Sequence, residues 1–165
     1  HALEFKEWGS RGGPGPKDFV PSAVFACRAQ AFDRVGGFPD MWPGEDLVFC
    51  HHLSQCGSGL GVVREAVARH RHPAGVAAMF GHQYRLGYTS ALARLETGMR
   101  GAIMVRIPLL APLLLPARAA RALLWFTTHG LRELPAFVLA LPLFLAGLTA
   151  WTAGFTRCAF AHRPV

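Results

Sequence analysis

The sequence predicts an α/β segment that runs into membrane-associated helices, and three observations carry this expectation. Over about the first 100 residues, short Val- and Phe-rich runs alternate with helical patterns. A run of 23 uncharged residues, Leu134 to Thr156, stands near the C terminus. The charge also divides near Gly101: residues 1–100 hold 11 bases and 9 acids, a net of +2, and residues 101–165 hold 6 bases and one acid, Glu133, a net of +5. With 165 residues, 52% of them hydrophobic and 16% charged, the chain is too apolar for a disordered or collagen-like protein. The domain reading is accordingly a polar part, residues 1–100, and a membrane-associated part, residues 101–165.

Within the polar part, WGSRGGPGPK at residues 8–17 is a Gly/Pro-rich loop. VPSAVFACR reads as a short strand entering a helix from about Arg28 to Val35, with Phe32 and Val35 inward and Gly36 as its stop. The loop FPDMWPG leads to EDLVFCHHLSQCG, a helix with Phe49, Leu53 and Cys56 at helical spacing and Gly57 closing it. Leu60 to Ala68 reads as a strand, and HPAGVAAMFGHQYRLGYTSALARLE as an amphipathic helix pair leading towards the membrane.

Leu134 to Thr156 is long enough to cross a hydrocarbon core of roughly 30 Å as a tilted helix. Arg132 and Arg157 flank it, Trp151 lies near one end, and Pro142 is expected to kink it. The earlier run, Ala102 to Pro116, has 15 residues, contains Arg106, and carries Pro108, Pro112 and Pro116 at every fourth position. It reads as a broken or interfacial helix. Arg118 and Arg121, beside Leu123, Leu124, Trp125 and Phe126, form a basic amphipathic pattern suited to an anionic membrane surface. Arginines set among Leu, Ala and Pro are not a polar basic stripe, which argues against a nucleic-acid partner. The four cysteines form no C-x-x-C pair and are expected as reduced thiols facing a cytoplasm.

The candidate chemistry lies at Glu45 and Asp46, which follow a Pro-Gly turn at the first turn of a helix. Free N–H groups and the positive end of the helix dipole favour ionised carboxylates there, so Asp46 is placed as an oriented proton acceptor. The same placement is also ordinary capping chemistry. His70 and His72 alternate onto one face of the expected strand end, where they suit a divalent metal or, when protonated, a phosphate. With Cys50, His51, His52 and Cys56 they suggest zinc, but the C-x5-C and H-x-H spacings do not match structural zinc patterns.

Taken in order, VPSAVFACRAQAFDRVGGFPD, PGEDLVFCHHLSQCG, VVREAVARHRH and HQYRLGYTSALAR, followed by hydrophobic helices, resemble the C-terminal half of a family 2 glycosyltransferase. The resemblance covers about residues 18 to 100 and rests on Arg28, Gly36-Gly37-Phe38 and the Glu45-Asp46 pair at this spacing. It implies the acceptor-side half of an α/β GT-A nucleotide-sugar transferase domain, followed by membrane-associated helices with a transmembrane helix at about 134–156. It implies Asp46 as general base for inverting transfer, with Glu45 positioning acceptor or loop. Arg28, Gly37, Trp42 and Gly44 would lie against the acceptor. His70 would be a metal ligand, and His72, Gln83 and Arg85 phosphate or donor contacts. Mg2+ or Mn2+ would offset the leaving diphosphate, bound mainly by an absent donor half: the chain contains no D-x-D and starts at His1, so it is expected to be a fragment that does not transfer sugar alone. Many relatives carry an arginine where this chain has His51 and His52.

The expected function is therefore part of an inverting glycosyltransferase at the inner or plasma membrane, with its catalytic part cytoplasmic. It would move sugar from a nucleotide-sugar donor to a lipid-linked or envelope-glycan acceptor. The alternative is a non-catalytic membrane scaffold with a degenerate transferase-like domain.

Overall fold

A computed structural model of the chain describes residues 17, 19–63, 75–128 and 130–162. The order is a 3-10 turn at Ser22–Val24, then α1 (Ala29–Arg34), α2 (Glu45–Gln55), α3 (Val76–Thr97) and α4 (Ile103–Arg106). A second 3-10 turn at Pro108–Leu113 leads into α5 (Leu114–Thr128) and α6 (Leu134–Ala161). The described residues contain helices and no strand, so the α/β GT-A expectation is corrected to an all-α arrangement.

The reason lies in strand pairing. VPSAVFACR is extended around Phe25 (φ −132°, ψ 138°) but turns through a 3-10 helix at Ser22–Val24. Residues 61–63 form no regular element, and the rest of the expected Leu60–Ala68 strand lies outside the described residues. Among the described residues, a single backbone bond, from the Lys17 N–H to the Leu60 carbonyl (3.0 Å), joins the chain just before VPSAVFACR to the segment after α2. A ladder needs several such bonds and a third neighbour before it is stable in water. The apolar side chains are buried another way, in a knot of Phe25, Phe32, Phe38 and Phe49. Phe49, fully buried, lies at its centre with Cys50, Leu53 and Leu60.

Glycine ends the two short helices in the same way. After α1, the Gly37 N–H reaches the Phe32 carbonyl and the Gly36 N–H the Asp33 carbonyl; after α2, Ser58 and Gly57 bond Leu53 and Ser54 in the same register. These are Schellman caps, and Gly36 (φ 79°) and Gly57 (φ 73°) supply the left-handed residue each one requires. Cys56, expected inward, is exposed because it lies beyond the last turn of α2.

The expected helix pair is one continuous helix, α3, of 22 residues. Its interior Gly87 faces α6: a Cβ there would run into the Trp151 carbonyl oxygen, and a Cβ on Gly154 would meet the Tyr84 carbonyl. Two glycines thus let the backbones touch, as small residues do between membrane helices. Ala91, Val105, Ala111, Trp151, Phe155 and Cys158 pack around this contact.

α5 and α6 form an antiparallel hairpin closed by Gly130, with Phe126 stacked on Phe137 (4.1 Å between centroids) and Phe144, Leu148 and Ala122 beneath. The segment Pro108–Thr128 and α6 are each long and apolar enough to cross a membrane. At about 1.5 Å per residue, the 28 residues of α6 exceed a hydrocarbon core of roughly 30 Å. The helix runs unbroken through Pro142 and past Arg157. The earlier apolar run is interrupted as expected, at Ile107 before Pro108, but it resumes without a break through the basic stretch to Thr128. Proline lacks the N–H that α4 would need to continue, whereas Pro116 sits in the first turn of α5, where no N–H is required. Arg118, expected at a membrane surface, is instead half-buried over the Trp151 ring.

Candidate functional site

The acidic pair is positioned by the turn before α2. Gly44, in the left-handed region at φ 111°, turns the chain so that Glu45 and Asp46 open the helix. There its four leading amides lack carbonyl partners within the helix. A Cβ on Gly44 would lie 3.1 Å from the Thr89 Oγ1, so the turn also rests against α3.

Ser22, which opens the 3-10 turn before α1, ties both acids. Its hydroxyl donates to Glu45 Oε1 and its backbone N–H to Asp46 Oδ2, each at 3.0 Å. Glu45 Oε2 accepts the Gly44 N–H at 3.0 Å. Burial pushes the Asp46 carboxyl above the ordinary aspartate value of 3.8. The Ser22 amide draws it partly back, the adjacent Glu45 charge raises it again, and the Leu47 amide and Ser22 hydroxyl lower it. Below the pair, the Cys50 thiol donates to the Val20 carbonyl at 3.4 Å, and burial pushes that thiol up as well.

Trp42, largely exposed, stands beside the turn with the Arg85 guanidinium 5.3 Å from its ring centroid and the His82 ring 6.1 Å away. The structure therefore brings together Glu45, Asp46, Gly44, Trp42 and Arg85. It sets Gln83 apart, buried within α3 on a face different from that of Arg85. Arg28 is the N-cap residue of α1, exposed, and its guanidinium makes no hydrogen bond or ion pair with a described residue. Gly37 (φ 77°) serves the α1 cap and abuts the Phe32 ring, where a Cβ would come within 2.9 Å. His70 and His72 lie outside the described residues.

Sequence reasoning missed Ser22, Thr89 and His82. His82 and Thr89 had a usable signal: they fall three residues before and four after Arg85, on one face of a single helix. Ser22 had none, because only the fold brings it to residues 23 and 24 positions later.

Among the described residues no group of three His, Cys, Asp or Glu converges as a metal site. Both Glu45 oxygens and Asp46 Oδ2 already accept hydrogen bonds. The arrangement is a partly buried carboxylate held by an amide beside an open aromatic plate and a cation, a setting in which a carboxylate can accept a proton. No family model matches the chain, and neither a curated protein nor a solved structure matches it.

Proposed function

We propose that this chain is a membrane-anchored part of an inverting sugar transferase in which Asp46 takes the proton from an acceptor hydroxyl. The observation that carries the reading is the Ser22-tethered Glu45–Asp46 pair beside Trp42 and Arg85. As the acceptor oxygen forms its bond to the anomeric carbon, its proton passes to Asp46, and the bonding pair to the old substituent leaves with a nucleoside diphosphate. A carboxylate whose pKa is raised by burial is a better base near neutral pH than an ordinary aspartate. Ser22 orients both acids, Trp42 offers an apolar face to a sugar ring, and Arg85 offers a positive charge to an anionic part of the substrate. Any Mg2+ or Mn2+ would be held by residues other than the described ones, and no step here passes through it.

Two helices able to cross a membrane support a lipid-linked or envelope-glycan acceptor, with the acid pair on the cytoplasmic side where nucleotide sugars are found. The test is transfer of radiolabelled sugar from nucleotide-sugar donors to membrane lipid or glycan by membranes carrying the intact protein that contains this sequence. Asp46→Asn is expected to lower transfer by about 100-fold or more while donor binding persists. Transfer within a few-fold of wild type would defeat the base assignment. Absence of transfer with every donor in the unmutated protein would favour the scaffold reading.

A further inference from the structure

A second cluster, carried by different residues, lies between α3, α5 and α6. Trp151 and Phe155 stack at 5.3 Å between centroids with 26° between their planes. The Arg118 guanidinium sits 4.1 Å from the Trp151 centroid, and that of Arg94 lies 6.0 Å from the Phe155 centroid. Arg94 donates to the Ser90 carbonyl (2.7 Å) and hydroxyl (2.6 Å), which aims its remaining N–H groups. Arg118 Nε is buried without an acceptor, and so is the hydroxyl of Thr152, the residue after Trp151.

No described carboxylate pairs with either guanidinium, and the two lie against neighbouring rings of one stacked pair. Ring faces attract cations but accept none of their in-plane N–H groups. A guanidinium on the apolar α5, and a second one brought against α6 by α3, are costly without a described counter-charge, and in membrane segments such charges usually face a partner or a pathway.

An open groove of about 480 Å3 adjoins the cluster. It is lined by Pro112, Leu115, Thr152, Ala153, Thr156 and Arg157, among others. Leu115 is one turn before Arg118 on α5, so the groove and the guanidinium share a helix face.

We propose that the Arg94–Arg118 pair holds the phosphate of an anionic lipid whose chain lies in the groove beside Thr152. The phosphate oxygens accept from both guanidiniums in the planar fork that arginine presents, and the chain covers walls that are otherwise apolar and open. Burial holds the Arg94 pKa below the usual arginine range, a cost that a bound anion offsets. A soluble phosphate would meet the same cations but leave the groove empty. The inference goes beyond sugar transfer and stands whether or not Asp46 is a base.

The test is native mass spectrometry of the full chain, purified in an uncharged detergent and mixed with equal amounts of phosphatidylglycerol and phosphatidylcholine. Phosphatidylglycerol adducts should predominate by about tenfold, and R94Q or R118Q should each remove most of that preference. R100Q and R106Q, at exposed arginines away from the rings, should leave it unchanged. Equal retention of the two lipids by the wild-type chain, or an undiminished preference in the R94Q/R118Q double variant, would overturn the site. Displacement of the lipid by inorganic phosphate at submillimolar concentration would overturn the lipid source. Circular dichroism checks each variant; if R118Q loses helix content, R94Q and the wild-type comparison decide the matter.

Discussion

The segment around α1 and α2 and the helices α3 to α6 solve the same burial problem with different materials. In the first, three phenylalanines gather on Phe49, and glycine-capped helices stop the chain at defined points. In the second, nearly every side chain of α6 is apolar, yet only a stripe through Phe137, Phe144, Leu148, Trp151 and Phe155 faces inward. Leu139, on the opposite side, is 85% exposed. Side-chain hydrophobicity decides what is buried in the first region. In the second it cannot, and shape decides: glycines where backbones meet, rings where guanidiniums lie.

That contrast can be broken by substitution. The largest effect is expected from Phe49→Ala, which empties the centre of the aromatic knot at a cost of about 3–5 kcal/mol. Hydrogen exchange should show amides of α2 losing protection while those of α6 keep theirs; a uniform loss would mean that the two regions unfold as one unit. Gly154→Ala comes next, at about 1–3 kcal/mol, because its added carbon meets the Tyr84 backbone carbonyl and no side chain can move aside. Here α3 and α6 should lose protection and α2 should not. Thermal melting in detergent that shifts by less than a degree would show that the close helix approach is dispensable.

Ser22→Ala should cost about 1 kcal/mol by removing the hydroxyl bond to Glu45 while the backbone bond to Asp46 stays. Its effect on transfer should exceed its effect on melting. The smallest effect is a matter of pH. Because the folded-state pKa of Asp46 is raised above 3.8, the folded chain binds that proton more tightly than the unfolded one. This contribution to stability is fully present below the unfolded value and is lost as pH rises through the folded value. Asp46→Asn should therefore melt a few degrees higher than wild type at neutral pH, with the gap closing near about pH 3. A gap that widens on acidification would reverse the assigned shift.

How much was legible in the sequence follows the same division. Gly36 and Gly57 announced the ends of α1 and α2 because a left-handed residue is a local requirement. The uncharged run announced α6, since length and composition suffice for a helix that can cross a membrane. VPSAVFACR did not become a strand, because a strand depends on partners that its own residues do not specify. HPAGVAAMFGHQYRLGYTSALARLE read as a helix pair, whereas α3 is one helix that passes through Gly81 and uses Gly87 to admit α6. Arg118 looked interfacial for the same reason: nothing local says that Trp151, more than 30 positions later, will cover it. For the candidate site, the acids were visible from the Pro-Gly turn before them, Trp42 entered only through the resemblance, and Ser22 was not visible.

The two faces of α3 set a distance. On one side Thr89 abuts the Gly44 turn that carries the acid pair, and on the other Gly87 lies against α6. α3, a helix roughly 10 Å across, thus stands between the Gly44 turn and α6. The turn that opens α2 and the glycine seam between α3 and α6 are thereby fixed to opposite faces of one rigid rod, so a shift of α3 against α6 is felt at Gly44.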